Sequence, residues 1–206
     1  MSIDLPYHRS WLGEEEHREV EDTLNSGWLT TGPKTQKFEE AFKEYIGCRH
    51  AVALNSCTAG LNLALTVHDF DDGDEVITSP MTFPATANVI LLQRLKPVFA
   101  DIEPGILTLD PEKIEAKITP RTRAIIPVHF AGHPCDMDPI QELADRHKLV
   151  IIEDAAHALE AKYKRRKIGN LGQAAAFSFY ANKNITTGEG GMLVTNDDDL
   201  AEVFRV

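Results

Sequence analysis

The chain has 206 residues, 43% of them hydrophobic, and carries 32 acidic against 21 basic side chains, for a formal charge of -11. This length can bury a substantial core and fits one large domain better than two small ones, while the negative charge repels a phosphate backbone and argues against nucleic acid as a partner. No run of about 18 apolar residues could cross a membrane, and the opening M-S-I-D-L-P-Y-H lacks the basic and apolar regions of a signal peptide, so a soluble cytoplasmic protein is expected.

A helix is predicted over 14–25. Short β-branched runs then alternate with helical patterns, a rhythm that predicts an α/β fold with parallel strands. The strands are expected at 51–54, 75–78, 97–101, 124–127, 149–154, 174–179 and 192–195. Helices at 58–67, 85–93, 111–117 and 139–147 are each long enough for a crossover. Lys162 to Lys167, K-Y-K-R-R-K, reads as a solvated turn with no assigned chemistry. The short glycine-rich link between the last two strands predicts an antiparallel pair. Asn196 to Leu200 looks like a capped helix start with acids at the positive end of its dipole, and the chain stops soon afterwards, as a fragment of a longer protein would. Cys48, Cys57 and Cys135 are odd in number and widely spaced, suggesting neither a disulfide framework nor a zinc site. His129 and His133 have i, i+4 spacing, but Gly132 and Pro134 oppose a helix there, so no metal site is expected.

The most informative stretch is S-F-Y-A-N-K-N at 178–184, followed by I-T-T-G-E-G-G. It places Lys183 in a polar, glycine-rich loop after an apolar strand, and open α/β sheets build their sites in such loops. Alone, a loop lysine is a surface charge. The strand V-I-I-E-D, however, ends in Asp154, an acid at the tip of a run apolar enough to be buried. Asp154 could cap a helix through the A-A-H-A-L that follows. Yet an acid at one strand tip and a lysine beyond the next suit a pyridine cofactor, the acid keeping the ring nitrogen protonated and the lysine forming a Schiff base. The turn N-S-C-T-A-G-L at 55–61 opens a helix whose free amides could hold a phosphate, although it has neither a Walker lysine nor a G-x-G-x-x-G pattern. Phe83 could stack on a flat ring or belong to the core.

These residues resemble the DegT/DnrJ/EryC1/StrS sugar aminotransferases, of the aspartate-aminotransferase-like class. The resemblance runs through nearly the whole chain: G-W-L-T-T-G-P at 27–33, F-E-E-A-F at 38–42, G-D-E-V-I-T at 73–78, T-F-P-A-T-A-N at 82–88, P-V-F-A-D-I at 97–102, P-V-H-F-A-G at 127–132, E-D-A-A-H-A at 153–158 and F-S-F-Y-A-N-K-N at 177–184. It implies a three-layer α/β sandwich around a mostly parallel seven-stranded sheet. Residues 1–206 would form the large domain that binds pyridoxal 5'-phosphate (PLP), truncated before a small C-terminal domain.

The resemblance further implies that Lys183 carries PLP and then transfers protons, with pyridoxamine phosphate as the intermediate cofactor form. Asp154 would pair with the pyridine nitrogen and His157 would lie near the phenolic oxygen, although that histidine could equally be a packed helix residue. Phe83 would stack on the ring, while Cys57, Thr58 and Ser178 surround the phosphate. Thr30 and Gly32, in an entrance loop, are weaker candidates for substrate contact. Relatives often have glycine where Glu160 stands, proline near Ala181, and glycine or alanine where Cys57 stands. The implied reaction moves an amino group from an amino acid, usually glutamate, to a nucleotide-linked keto sugar in a homodimer; the sequence does not choose the sugar, the nucleotide or the carbon aminated. Two alternatives share the fold: a sugar dehydratase, which characteristically has histidine at the lysine position, and a noncatalytic regulatory or scaffold protein.

Overall fold

Seven strand segments form the sheet, and the central ones are apolar runs because both of their faces are covered. In the computed structural model, which describes residues 6 and 8–205, the seven are β1 (His50–Leu54), β2 (Glu75–Thr78), β3 (Lys96–Phe99), β4 (Thr122–Ile126), β5 (Val150–Asp154), β8 (Ala174–Ser178) and β9 (Gly191–Thr195). All seven predicted strands are present, with ends shifted by no more than two residues. Most of the opening segment read for a leader peptide, and the last residue, lie outside the described residues.

The strands form one sheet in the order β1-β9-β8-β5-β4-β2-β3. Pairings β2–β3, β2–β4, β4–β5 and β5–β8 are parallel, whereas β9 runs antiparallel to both β8 and β1. Two successive reversals restore direction, so six strands point one way and β9 alone opposes them. The carboxyl ends of β1, β2, β4, β5 and β8 therefore share one edge with the first residue of β9.

Neighbouring strand residues face opposite sides. Ile77, Ile125, Ile151 and Val194 pack with Phe42 and Ile46 of α2 (Pro33–Ile46), Ile114 of α5 (Pro111–Glu115) and Met137 and Ile140 of α6 (Met137–His147). Val76, Ile126, Ile152 and Leu193 pack with Leu61 and Leu65 of α3 (Cys57–Thr66), Val89 and Ile90 of α4 (Ala85–Leu92) and Phe204 of α7 (Asp198–Phe204). The result is the expected three-layer sandwich. An outer helix, α1 (Glu14–Ser26), buries none of its residues and starts with Glu14, Glu15 and Glu16 at its positive end.

Three local expectations need correction. Helix α2 was not among the predicted elements. It begins with Pro33 at its first turn and ends at Gly47 with φ 78°, and it buries Phe42 and Ile46. The K-Y-K-R-R-K run is a two-stranded hairpin, β6 (Lys162–Tyr163) with β7 (Arg166–Lys167), rather than a simple solvated turn. Its Lys164 pairs with Asp138 and its Lys167 lies over the Tyr45 ring. Finally, the A-A-H-A-L after Asp154 forms consecutive turns and no helix, with Ala158 N donating to Ala155 O and Ala161 N to Ala158 O. Asp154 therefore caps no helix, and His157 is not a packed helix residue.

Candidate active site

The shared strand edge opens into a cavity of about 450 Å³, within the size range of small-ligand sites. Its wall contains Asp154, the last residue of β5. The backbone there is fixed by the segment that continues β4, since Asp154 N donates to Pro127 O at 2.9 Å and Asp154 O accepts from His129 N at 3.1 Å. The carboxylate is buried and makes two hydrogen bonds: Oδ2 accepts from Thr86 Oγ1 at 2.7 Å and Oδ1 from Ala156 N at 3.2 Å. A carboxylate offers about four acceptor positions, so capacity for a further donor remains where Asp154 lines the cavity.

Lys183 follows β8 in a turn closed by its own amide, which donates to Tyr180 O at 3.0 Å. Its half-buried amine lines the same cavity. Burial pushes the ammonium below the usual lysine range, opposed by the charge of Asp154, which draws it up. His157 is also half-buried, and its pKa is lowered first by burial and then by the charge of Lys183, while Asp154 opposes both. Its Nδ1 accepts the Ala131 amide at 3.3 Å, leaving the ring proton on Nε2.

The turn at 55–58 is built by the start of α3. Ser56 is its N-cap, with Oγ accepting from Ala59 N at 3.1 Å. Among the described residues the amides of Cys57 and Thr58 have no protein acceptor, as expected for the first turn of a helix. Cys57 turns its sulfur inward, donating to Ala176 O at 3.4 Å, and burial pushes its thiol well above the usual value. Its backbone, rather than its side chain, is thus the part available to an anion. Gly191, first in β9, packs flat on this turn: a Cβ there would lie 2.3 Å from Ser56 C and 2.5 Å from Cys57 N. Ser178, opposite Gly191 in the ladder, accepts the Tyr180 amide at 3.3 Å and keeps its own hydroxyl proton free to donate. Phe83 is 75% exposed at the cavity, so it is not core.

Cys57, Thr58, Phe83, Asp154, His157, Ser178 and Lys183 therefore line one cavity. Thr30 and Gly32 do not. Thr30 borders a separate surface depression with Trp28, and Gly32 is buried beneath the Trp28 indole, whose Nε1 would lie 2.2 Å from an added Cβ. Sequence reasoning missed several lining residues: Thr82, Thr86, Tyr180, Asn182 and Glu189. Thr82 and Thr86 stood inside the quoted T-F-P-A-T-A-N block, but nothing in their spacing marked them as the polar floor of the cavity.

The donor set fits PLP. Two free helix amides with the Thr58 and Ser178 hydroxyls suit a phosphate dianion, a buried carboxylate with spare capacity suits a protonated ring nitrogen, and an amine of lowered pKa suits attachment.

A sequence profile of the DegT/DnrJ/EryC1/StrS aminotransferase family matches residues 11–206. The chain is 56% identical over 202 residues to the Bacillus subtilis spore coat polysaccharide biosynthesis protein SpsC, covering 98% of this chain and 52% of that protein. Among solved structures, Helicobacter pylori PseC, an aminotransferase involved in the biosynthesis of pseudoaminic acid, superposes with a TM-score of 0.93 at 40% identity, over 97% of this chain and 54% of its own. The putative sugar aminotransferase Spr1654 from Streptococcus pneumoniae, solved in a PLP form, superposes with a TM-score of 0.93 at 36% identity, over 98% of this chain and 57% of its own. A PMP form of that protein is also similar. The chain spans about half the length of the curated relatives it matches.

Proposed function

Because this chain belongs to the DegT/DnrJ/EryC1/StrS aminotransferase family, whose cofactor is PLP, we propose that it is the cofactor-bearing large domain of an enzyme that moves an amino group from an amino acid to a nucleotide-linked keto sugar. The observation that carries this reading is the single cavity uniting Asp154, Lys183 and the 55–58 turn. When bound, PLP supplies an electron sink for the bond changes at the amino-bearing carbon.

The protein's own residues do the rest. The Cys57 and Thr58 amides, with the Thr58 and Ser178 hydroxyls, bind the phosphate at the positive end of α3. Asp154 accepts a hydrogen bond from the protonated ring nitrogen and keeps the proton there. His157, neutral and protonated on Nε2, donates toward the phenolic oxygen. Phe83 covers one ring face and excludes water from it. Lys183 Nζ, biased toward its neutral form by burial, would take the proton from the donor's α-carbon in the first half of the reaction and, in the second half, deliver a proton to the sugar carbon being aminated. Glutamate is the proposed donor. Two copies form the proposed working unit, a reading supported by the exposed Leu91 and Leu92 of α4. Thr30 is proposed to contact substrate only if such an assembly brings it toward a cavity.

The presence of lysine at 183 favours transamination over dehydration. Borohydride treatment with PLP should fix the cofactor on the peptide containing Lys183, and Lys183→Arg should abolish both fixation and amino-group transfer, because a permanently charged guanidinium cannot serve as the nucleophile or base. Fixation at a different lysine, or undiminished transfer by the arginine variant, would refute the assignment and favour the noncatalytic alternative.

A further inference from the structure

The floor of the cavity contains a hydroxyl arrangement that none of the roles above uses. Thr86, in the first turn of α4, is 1% exposed, and its Oγ1 lies 2.7 Å from Asp154 Oδ2 and 2.8 Å from Thr82 Oγ1. An ionised carboxylate only accepts, so Thr86 donates its one proton to Asp154 and can receive only from Thr82. The two hydroxyls thus form a chain with both protons directed at the carboxylate, an arrangement in which each bond polarises the next.

This geometry departs from how helical threonines elsewhere in the chain behave. Thr23 and Thr66 return their hydroxyls to the carbonyls four residues earlier, Glu19 O and Asn62 O, each at 2.8 Å. That is the ordinary local satisfaction of a helical hydroxyl. Thr86 instead reaches across to β5, a partner 68 positions away in sequence. A β-branched side chain with few rotamers holds that direction firmly.

We propose that Thr86, supported by Thr82, is a positioning residue that holds the Asp154 carboxylate as an oriented acceptor, so that its unused lone pair faces the cofactor ring nitrogen. This rests on the reading of Asp154 given above. Removing the hydroxyl while keeping the shape frees the carboxylate to rotate or to take a proton, and either change weakens its hold on the ring.

The test compares Thr86→Val and Thr86→Ser in the wild-type and Asp154→Asn backgrounds, measuring PLP affinity by absorbance titration and the pH dependence of the bound cofactor's spectrum. Thr86→Val should weaken PLP binding about tenfold or more, the scale of one hydrogen bond to a charged group, and shift the spectral pH profile. Thr86→Ser should restore both. In the Asp154→Asn background the valine penalty should largely vanish, since interacting residues are not additive. Equal penalties in both backgrounds, or none, with wild type still fixed by borohydride at Lys183, would overturn the proposal alone. A wild type that borohydride does not label at Lys183 would overturn the cofactor reading and this proposal with it. If the valine variant fails to fold, Thr82→Val at its half-buried position decides: a smaller, Asp154-dependent loss is expected, and no such loss refutes the chain.

Discussion

Glu153→Gln should destabilise the protein by about 2–6 kcal/mol at neutral pH, the cost of leaving two buried donors without acceptors. The Glu153 side chain is fully buried and takes four donors: Leu171 N at 2.8 Å and Gly172 N at 2.9 Å on Oε1, and Gly169 N at 3.2 Å and His129 Nε2 at 3.1 Å on Oε2. Glutamine has one carbonyl, so whichever way its amide turns, two of these donors meet an NH₂ group instead of an acceptor. A buried donor without a partner costs about 1–3 kcal/mol. The histidine cannot adapt by changing tautomer, because its Nδ1 already accepts the Cys135 amide at 3.1 Å. Burial alone would raise the Glu153 pKa, but the hydrogen bonds from His129 and from the Gly172 and Leu171 amides outweigh it and hold the carboxyl below its usual range. The sign follows: this carboxylate's contribution is fully present above the unfolded value of about 4.3 and is lost as pH falls through the lower folded value. Urea unfolding at pH 7 and again in mild acid, before both proteins unfold, measures the gap between wild type and variant. A loss under about 1 kcal/mol at pH 7, or a gap that widens in acid, would refute this account.

Gly191→Ala should displace the Ser56–Cys57 peptide, since the added carbon would lie 2.3 Å from Ser56 C; the expected result is a loss on the order of 1–3 kcal/mol in stability and weaker PLP binding in an absorbance titration, and unchanged affinity would show that the turn does not hold the phosphate. His157 should titrate below the ordinary histidine value when followed by NMR, and because the charge of Lys183 is one cause of that shift, Lys183→Ala should move the midpoint upward; a fixed or falling midpoint would mean the two side chains are not electrostatically coupled.

Much of the architecture was legible in the sequence because each parallel strand is an apolar run closed by a turn, and β2, β4, β5 and β8 are buried almost throughout. Helix α2 carried a usable signal that the strand rhythm did not draw on: Phe38, Phe42 and Ile46 recur every four residues, and Gly32-Pro33 and Gly47 mark its ends. The hairpin at 162–167 was less accessible, since two residues per strand are too short for an alternating pattern. The seven candidate residues that share the cavity end or follow strands at one edge; that placement pointed to Asp154, Lys183 and the 55–61 turn, whereas His157, Ser178 and the separate roles of Cys57 and Thr58 came from the family resemblance. Thr30 and Gly32 were named for an entrance loop, and their separation from the cavity is set by how that loop sits against the rest of the fold, which has no local signature. Thr86 was hidden for the same reason: it lies on α4 and its partner is at the end of β5.

The adjacent acids of V-I-I-E-D mark the limit of sequence reading most sharply. Both Glu153 and Asp154 are buried, and both carry one negative charge on β5. Being consecutive in a strand, they point to opposite faces. On one side Glu153 meets four donors and ties β5 to the 169–172 loop and to His129, which leaves it no acceptor position for a ligand. On the other side Asp154 meets two donors and borders open space. The chemical roles differ through the number of donors the fold brings to each, not through the side chains themselves. Exchanging the two residues, Glu153→Asp with Asp154→Glu, preserves charge and composition yet should remove both functions, because the shorter acid cannot span to the 169–172 amides and the longer one intrudes on the cavity. PLP titration and urea unfolding of this double variant should both show losses; retention of either wild-type affinity or wild-type stability would mean that charge at these positions, and not its fixed geometry, is what the site requires.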